Sequence, residues 1–369
     1  MSTHVCPVVK LGEPIAIPGA DKIEVFDILG NGPVVSAKGQ FKASDLAVFV
    51  PPESVVDTSL EAFTFLKSKA RKSDGWAKIR PVRLRGQLSI GLLMPANGMS
   101  EGEDGAKRYS VKKYEDHVKV ETIHGHNSGK TPGWIIKLWR RFFPSKEDRG
   151  LWPGIPVYDI NQLYKMRPGI FADDELMVVT EKLHGTNARF VIGRDGKLWC
   201  GSRTMWRNHD GKNVYSRAAT ESGIEAKLRR LAEPIVIWGE IVGPQIQKGF
   251  NYGLKDGEQK FYVFDMYHAT ERRFLDPKEV YDICHWLKMT MVSIIAIDKW
   301  SSIKEQLLSL TQAQSPGEHP QEGIVVRPYL NVKETHGLDG NRCMVAGKVI
   351  NPAYLEFREK PGMDENIIL

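Results

Sequence analysis

From Val8 to about Pro95 the apolar residues fall in short runs separated by turn signals. Lys22–Leu29 (KIEVFDIL) alternates polar and apolar side chains, which puts the apolar set on one face of a strand. Gly30-Asn31-Gly32-Pro33 then predicts a turn. Val34–Ala37, Leu46–Val50, Val82–Leu84 and Gly91–Met94 predict further strands. Short strands with frequent Gly and Pro predict a small β-barrel or sandwich.

The pattern changes at Asn97–Arg149, which holds a polar run, a charged β-like segment (Tyr109–Glu121) and the basic-aromatic stretch Trp134–Pro144 (WIIKLWRRFFP). That stretch reads first as an amphipathic helix burying Trp134, Leu138 and Trp139, with base stacking as the alternative. From about Val157 strands and helices mix. Leu176–Thr180, Arg189–Ile192, Ile235–Trp238, Phe261–Asp265 and Gly323–Val326 read as strands; Arg217–Leu231, Pro277–Lys288 and Ser302–Leu310 read as helices. The βαβ alternation of a doubly wound sheet is missing, so the expected class is α+β. The expected domains are 1–97, a small OB-like β-barrel; 98–156, an extension and linker; and 157–369, the chemistry-bearing domain.

Composition narrows the choices only a little. A hydrophobic fraction of 41% is enough for real cores, and the net charge of +6 suits a polyanionic partner. Cys6, Cys200, Cys284 and Cys343 have no CxxC or CxxH spacing, which argues against a zinc site or a disulfide framework and for reduced thiols in a cytoplasmic protein. The first residues, with Glu13, Pro14, Pro18 and Asp21, do not read as a secretory signal, and no apolar run has the length of a membrane span.

The informative segment is Val178–Phe190, VVTEKLHGTNARF, in which Lys182 leaves a strand and His184, Gly185, Thr186 and Asn187 precede the next. A K-x-x-G tetrad is weak evidence alone. Lys72-Ser73-Asp74-Gly75 has the same spacing in a charged segment with no strand before it, and reads as a solvated loop. Lys182 differs in its downstream partners: Ser202-Arg203, Trp238-Gly239-Glu240, Phe264-Asp265, Glu322 through Arg327 (EGIVVR), and Lys348 in MVAGKVI. Each lies at a strand edge, and the ordered set is far more specific than any member.

This ordered set resembles the covalent nucleotidyltransferase superfamily of ligases and mRNA-capping enzymes, whose catalytic domain has an ATP-grasp-like fold. Lys182 matches motif I, Arg203 motif Ia, Glu240 motif III, Phe264-Asp265 motif IIIa, Glu322 motif IV and Lys348 motif V. Glu181–Asn187 (EKLHGTN) is similar to the RNA ligase 2 group, which has His where DNA ligases have Asp. Lys38–Pro52 and Val82–Pro95 resemble the fifth RNA ligase family, whose members carry an OB domain ahead of the catalytic domain. Two positions depart from these patterns. Ala346 stands where motif V commonly has a first lysine, and Ser89-Ile90-Gly91-Leu92 stands where the fifth family often reads SQGL.

The resemblance implies an ATP-dependent RNA ligase that stores AMP on Lys182 and joins a 3′-OH to a 5′-phosphate in RNA or an RNA-containing duplex, as a monomer and in repair of nicks. A neutral lysine amine is nucleophilic and its P–N bond to AMP is labile, but free lysine titrates near ~10.4. A metal or Lys348 is therefore expected to ease its deprotonation. Lys348 is expected on the α-phosphate, and Glu322 and Glu240 on Mg²⁺ or Mn²⁺, a hard cation that takes one or two carboxylates and keeps several waters. By resemblance Glu240 also meets the ribose, Phe264 stacks on adenine, Glu181 reads its exocyclic amine, Arg203 takes the 5′-phosphate, and His184 and Asn187 serve later steps. Arg327 suits either a phosphate or a salt bridge at a strand end. Arg83 and Arg85, two apart on a predicted barrel strand, are candidates for the nucleic-acid backbone.

A DNA ligase or capping enzyme would place its OB domain after motif V, where little chain follows Lys348 here. An inactive nucleotidyltransferase fold that merely binds nucleic acid is the other alternative; the presence of the lysine, both glutamates and the phenylalanine speaks against it.

Overall fold

The computed structural model describes residues 4–114, 150–207, 209, 211–313, 315–317, 319–336 and 342–358. The basic-aromatic stretch Trp134–Pro144 and the end of Tyr109–Glu121 lie outside the described residues. The chain forms two compact units. The first takes in the described residues up to Tyr114 with Asn161–Ala172 and Glu334–Glu356; the second takes in Gly150–Ile160, Asp173–Lys333 and the residues from Phe357. Each unit is discontinuous in sequence, whereas the pattern alone suggested contiguous blocks.

The first unit is built from β1 (Val8–Lys10), β2 (Ile15–Ala16), β3 (Ile23–Ile28), β4 (Gly32–Ala37), β5 (Leu46–Val50), β6 (Ser54–Asp57), β7 (Trp76–Lys78), β8 (Val82–Leu84), β9 (Gln87–Ser89), β10 (Leu92–Pro95), β11 (Lys112–Lys113) and β12 (Asn161–Gln162). They form small sheets in the orders β1-β5-β10, β2-β3-β4 and β11-β6-β7, with β8-β9 as a hairpin. The unbroken apolar run of β5 has a direct cause. Ala47 and Phe49 join Phe26, Val34 and Leu93 in one core, while Val48 and Val50 join Val8, Val56 and Phe63 in another. Strand alternation thus feeds two cores from one strand.

The β8–β9 hairpin corrects one expectation. Leu84 pairs with Gln87, so Arg85 (φ 52°) and Gly86 (φ 82°) are the turn. Arg83 and Arg85 therefore do not share a strand face. Arg83 is exposed, donates to the Gly86 carbonyl at 2.8 Å and pairs with Glu356 at 2.6 Å, a contact of small energetic weight in water.

The second unit contains β13 (Leu176–Lys182), β14 (Thr186–Ile192), β15 (Leu198–Ser202), β16 (Trp206–Arg207), α1 (Val214–Ser222), α2 (Ile224–Leu228), β17 (Ile235–Val242), β18 (Lys260–His268), β19 (Arg273–Phe274), α3 (Pro277–Trp286), β20 (Ile294–Lys299), α4 (Trp300–Leu310) and β21 (Gly323–Pro328). An antiparallel sheet runs β16-β15-β14-β17-β18-β19, and β13 lies between β20 and β21, antiparallel to both. Ala188 and Phe190 of β14, with Ile237 and Ile241 of β17, pack into a core with α1, α2 and α3. The alternate residues, Asn187 and Arg189 on β14 and Glu240 on β17, belong to the opposite face. The helix expected over Arg217–Leu231 is two helices, because Gly223 adopts φ 61° and ends α1 in the left-handed conformation. β22 (Glu334–His336), β23 (Arg342–Met344) and β24 (Gly347–Ile350) return to the first unit, where β24 runs parallel to β12. Among the described residues no helix is long and apolar enough to cross a membrane.

Candidate active site

Strand register assembles the centre of the site. Lys182, the last residue of β13, lies opposite Gly323, the first of β21. Glu322 is thereby delivered beside it, and Lys182 Nζ lies 2.7 Å from Glu322 Oε1. The second carboxylate oxygen, Oε2, is 3.8 Å from His184 Nδ1 and is buried with no hydrogen-bond partner. Burial pushes the His184 pKa down to about 4; Glu322 opposes that shift and Lys182 adds to it, so the imidazole is neutral near pH 7.

The glycine of the tetrad is demanded by space. A Cβ on Gly185 would stand 2.2 Å from the Ile241 carbonyl oxygen of β17. This close approach lets the Gly185 N–H donate to Glu240 Oε1 at 3.1 Å, while the Gly185 carbonyl accepts from Gln247 Nε2 at 3.1 Å. Next along the chain, Asn187 lies opposite Glu240 in the β14–β17 ladder. Burial raises the Glu240 carboxyl to about 8; Lys182 and the Gly185 N–H pull it down, and Glu322 pushes it up further. The Asn187 Oδ1 is buried without a hydrogen-bond partner.

These features fit a divalent cation. A Glu240 carboxyl whose charge is disfavoured by burial and by Glu322, with orphaned acceptor oxygens on Glu322 and Asn187, forms with them a hard-oxygen donor set. Among the described residues no three His, Cys, Asp or Glu side chains form a ready metal cage.

The remaining expected residues are distributed as follows. Glu181 is held by two hydroxyl donors, Ser315 Oγ at 2.7 Å and Ser293 Oγ at 3.1 Å. Phe264 on β18 packs against Tyr158 with ring centroids 4.8 Å apart. Arg203 follows β15, is exposed, and lies 3.5 Å from the equally exposed Asp159. Lys348 lies on β24 of the first unit, opposite Gln162. For Arg327 the structure decides against a phosphate. It is 4% exposed, paired with the fully buried Asp265, and donates to the Phe264 carbonyl at 2.9 Å. A guanidinium desolvated inside the protein and matched to a carboxylate is a scaffold under Phe264 and does not face nucleic acid.

Sequence reasoning missed Tyr252, whose hydroxyl accepts the His184 N–H at 2.6 Å, and Phe250, which meets the His184 ring edge-on at 4.5 Å. It also missed Ser293 and Ser315. All four lie outside the ordered motifs, and serines or aromatics in connecting segments carry no periodic signal.

Comparison with known proteins shows the fold. An apo variant of an RNA ligase from Naegleria gruberi matches with a TM-score of 0.68 and 23% identity, covering 97% of this chain and 99% of that one. The same ligase with pyrophosphate matches at 0.68 and 24% identity over 96% and 98%, and an alanine variant with ATP and manganese at 0.68 and 23% over 96% and 99%. The fold is that of a ligase nucleotidyltransferase. Residues 175–342 match the RNA ligase family and residues 6–96 match an OB-fold domain. The stretch that matches the RNA ligase family thus lies behind the stretch that matches an OB-fold domain.

Proposed function

We propose that this protein is an ATP-dependent RNA ligase that works through a covalent Lys182–AMP adduct. The observation that carries the reading is the junction of β13 and β21, where Lys182 Nζ meets Glu322 Oε1 at 2.7 Å with the Glu240 carboxyl nearby. Glu322 Oε1 is placed to take the ammonium proton. The freed amine attacks the α-phosphate of ATP, a P–N bond forms, the bond to pyrophosphate breaks, and pyrophosphate leaves. Mg²⁺ or Mn²⁺ held by Glu322 and Glu240 supplies charge neutralisation for the transferring phosphoryl group. Structures of the similar Naegleria gruberi ligase with ATP and manganese, AMP and manganese, and pyrophosphate support these ligands.

In this reading Phe264 stacks on adenine, Glu181 accepts from its amino group, and Lys348 contacts the α-phosphate. AMP then moves to a 5′-phosphate held by Arg203, and a 3′-OH attacks to release it, with His184 and Asn187 serving these steps. The substrate is RNA or an RNA-containing duplex broken at a nick, and the enzyme acts as a monomer. The OB-fold domain grips nucleic acid and takes little part in activating ATP. The test is incubation with ATP labelled on the α-phosphate. The protein should become covalently labelled and lose the label to a 5′-phosphorylated strand; a protein that binds RNA but never labels is not a ligase of this kind. Nicks with a ribose on the 3′-OH side should be sealed, and equal sealing of all-DNA nicks would contradict RNA specificity.

A further inference from the structure

The sheet face that carries Asn187 and Glu240 also carries Arg189, two residues along β14 and therefore on the same side. Arg189 lies opposite Gly201 of β15, and Gly201 lies opposite Trp206 of β16. The three make a row across three strands in which the middle position has no side chain. The Arg189 guanidinium spans that gap and stands 3.9 Å from the centroid of the Trp206 ring. Trp199 braces the same indole edge-on at 6.2 Å. The gap is sterically enforced, since a Cβ on Gly201 would lie 2.4 Å from the Met205 carbonyl oxygen and 2.8 Å from Trp206 Cα. Beyond the row, Ser202 and Met205 close a tight turn through a 2.9 Å backbone bond and a 3.2 Å bond from the Met205 N–H to the Ser202 hydroxyl. Arg203 and Thr204 form its tip, with the Arg203 side chain 53% exposed.

We propose that Arg189 and Trp206 are positioning residues for the steps that use the polynucleotide. Their stack clamps the two-residue edge strand β16 onto β15 and fixes the direction in which Arg203 is offered to the 5′-phosphate. A guanidinium already desolvated over an indole is the strongest form of this contact, and β16 pairs with β15 through only two residues. The inference rests on the ligase reading above and adds to it the residues that aim Arg203.

The test compares Trp206→Leu and Arg189→Met with the conservative Trp206→Phe and Arg189→Lys, each alone and with Arg203→Ala. Self-labelling by ATP and sealing of a nicked, 5′-phosphorylated RNA by pre-labelled enzyme are read separately. We expect self-labelling within about twofold of the unaltered protein, and a KM for the nicked strand raised about tenfold with kcat less affected. Trp206→Phe should restore most of the loss. Trp206→Leu should add nothing to Arg203→Ala, because both remove one function. Fully additive losses, or self-labelling lost in step with sealing, would overturn the proposal. Absence of labelling in the unaltered protein would instead overturn the ligase reading itself.

Discussion

Among the described residues, two stretches share the spacing K-x-x-G, Lys72–Gly75 in the first unit and Lys182–Gly185 in the second. In the first, Lys72 is exposed in a turn, Asp74 pairs with Arg71 and accepts from the Trp76 N–H at 3.0 Å, and Gly75 takes φ 75° with open space around it. In the second, the lysine ends a buried strand, the third residue is a neutral histidine, and the glycine presses on a neighbouring backbone. One glycine is needed for its dihedral freedom, the other for its lack of volume. The first tetrad is a local turn, closed by the Gly75 N–H donating to the Arg71 carbonyl at 3.0 Å, while the second is held by partners far along the sequence, at Glu240 and Glu322. The two tetrads share their spacing and differ in their long-range partners.

The contrast predicts outcomes of very different size. Lys182→Ala should abolish both self-labelling and sealing, whereas Lys72→Ala should leave both intact; the reverse result in a labelling gel would end the assignment. Glu322→Gln keeps the shape but removes the charge beside Lys182 Nζ, and should slow adenylylation about 100-fold. Wild-type single-turnover rates for that variant would remove Glu322 from metal and proton handling. Gly185→Ala must displace Ile241 or the tetrad and loosen the bond to Glu240, so adenylylation should fall at least about tenfold. Gly75→Ala should cost only about 1 kcal/mol of stability through its backbone dihedral, with activity kept. Matching activity losses at the two glycines would erase the distinction.

The smallest effect concerns the unit that holds the idle tetrad. Burial, reinforced by Lys165 and Lys113, lowers the His4 pKa to about 4 from its usual 6.5. Between those values the unfolded chain binds more protons than the folded one, so stability should be complete above pH 6.5 and fall as pH drops through the window. Thermal melts from about pH 7 to about pH 4.5 should show a smaller decline for His4→Gln than for the unaltered protein.

Strands with strong apolar runs were legible: β5 of the first unit matches its expected bounds, and β13, β14, β17, β18 and β21 of the second extend theirs by a few residues. β20 was not legible, since every one of its residues is exposed or only half-buried. The motif residues were legible as an ordered set, but their supports were not. The contacts of Arg189, Ser293 and Ser315 arise from cross-strand register and loop approach, which leave no local pattern. Arg85 misled because a turn residue at positive φ looks, in sequence, like one more strand position.

The pairing of β13 with β21 also guards the chemistry against misfolding. A slip of one residue would carry Glu322 away from Lys182 and, in the same movement, exchange the buried faces of Met177 and Val179 with those of Val178 and Thr180. A misassembled site would therefore come with a spoiled core. The packing thus acts as a built-in check, because a copy with this core has already aligned Lys182 with Glu322.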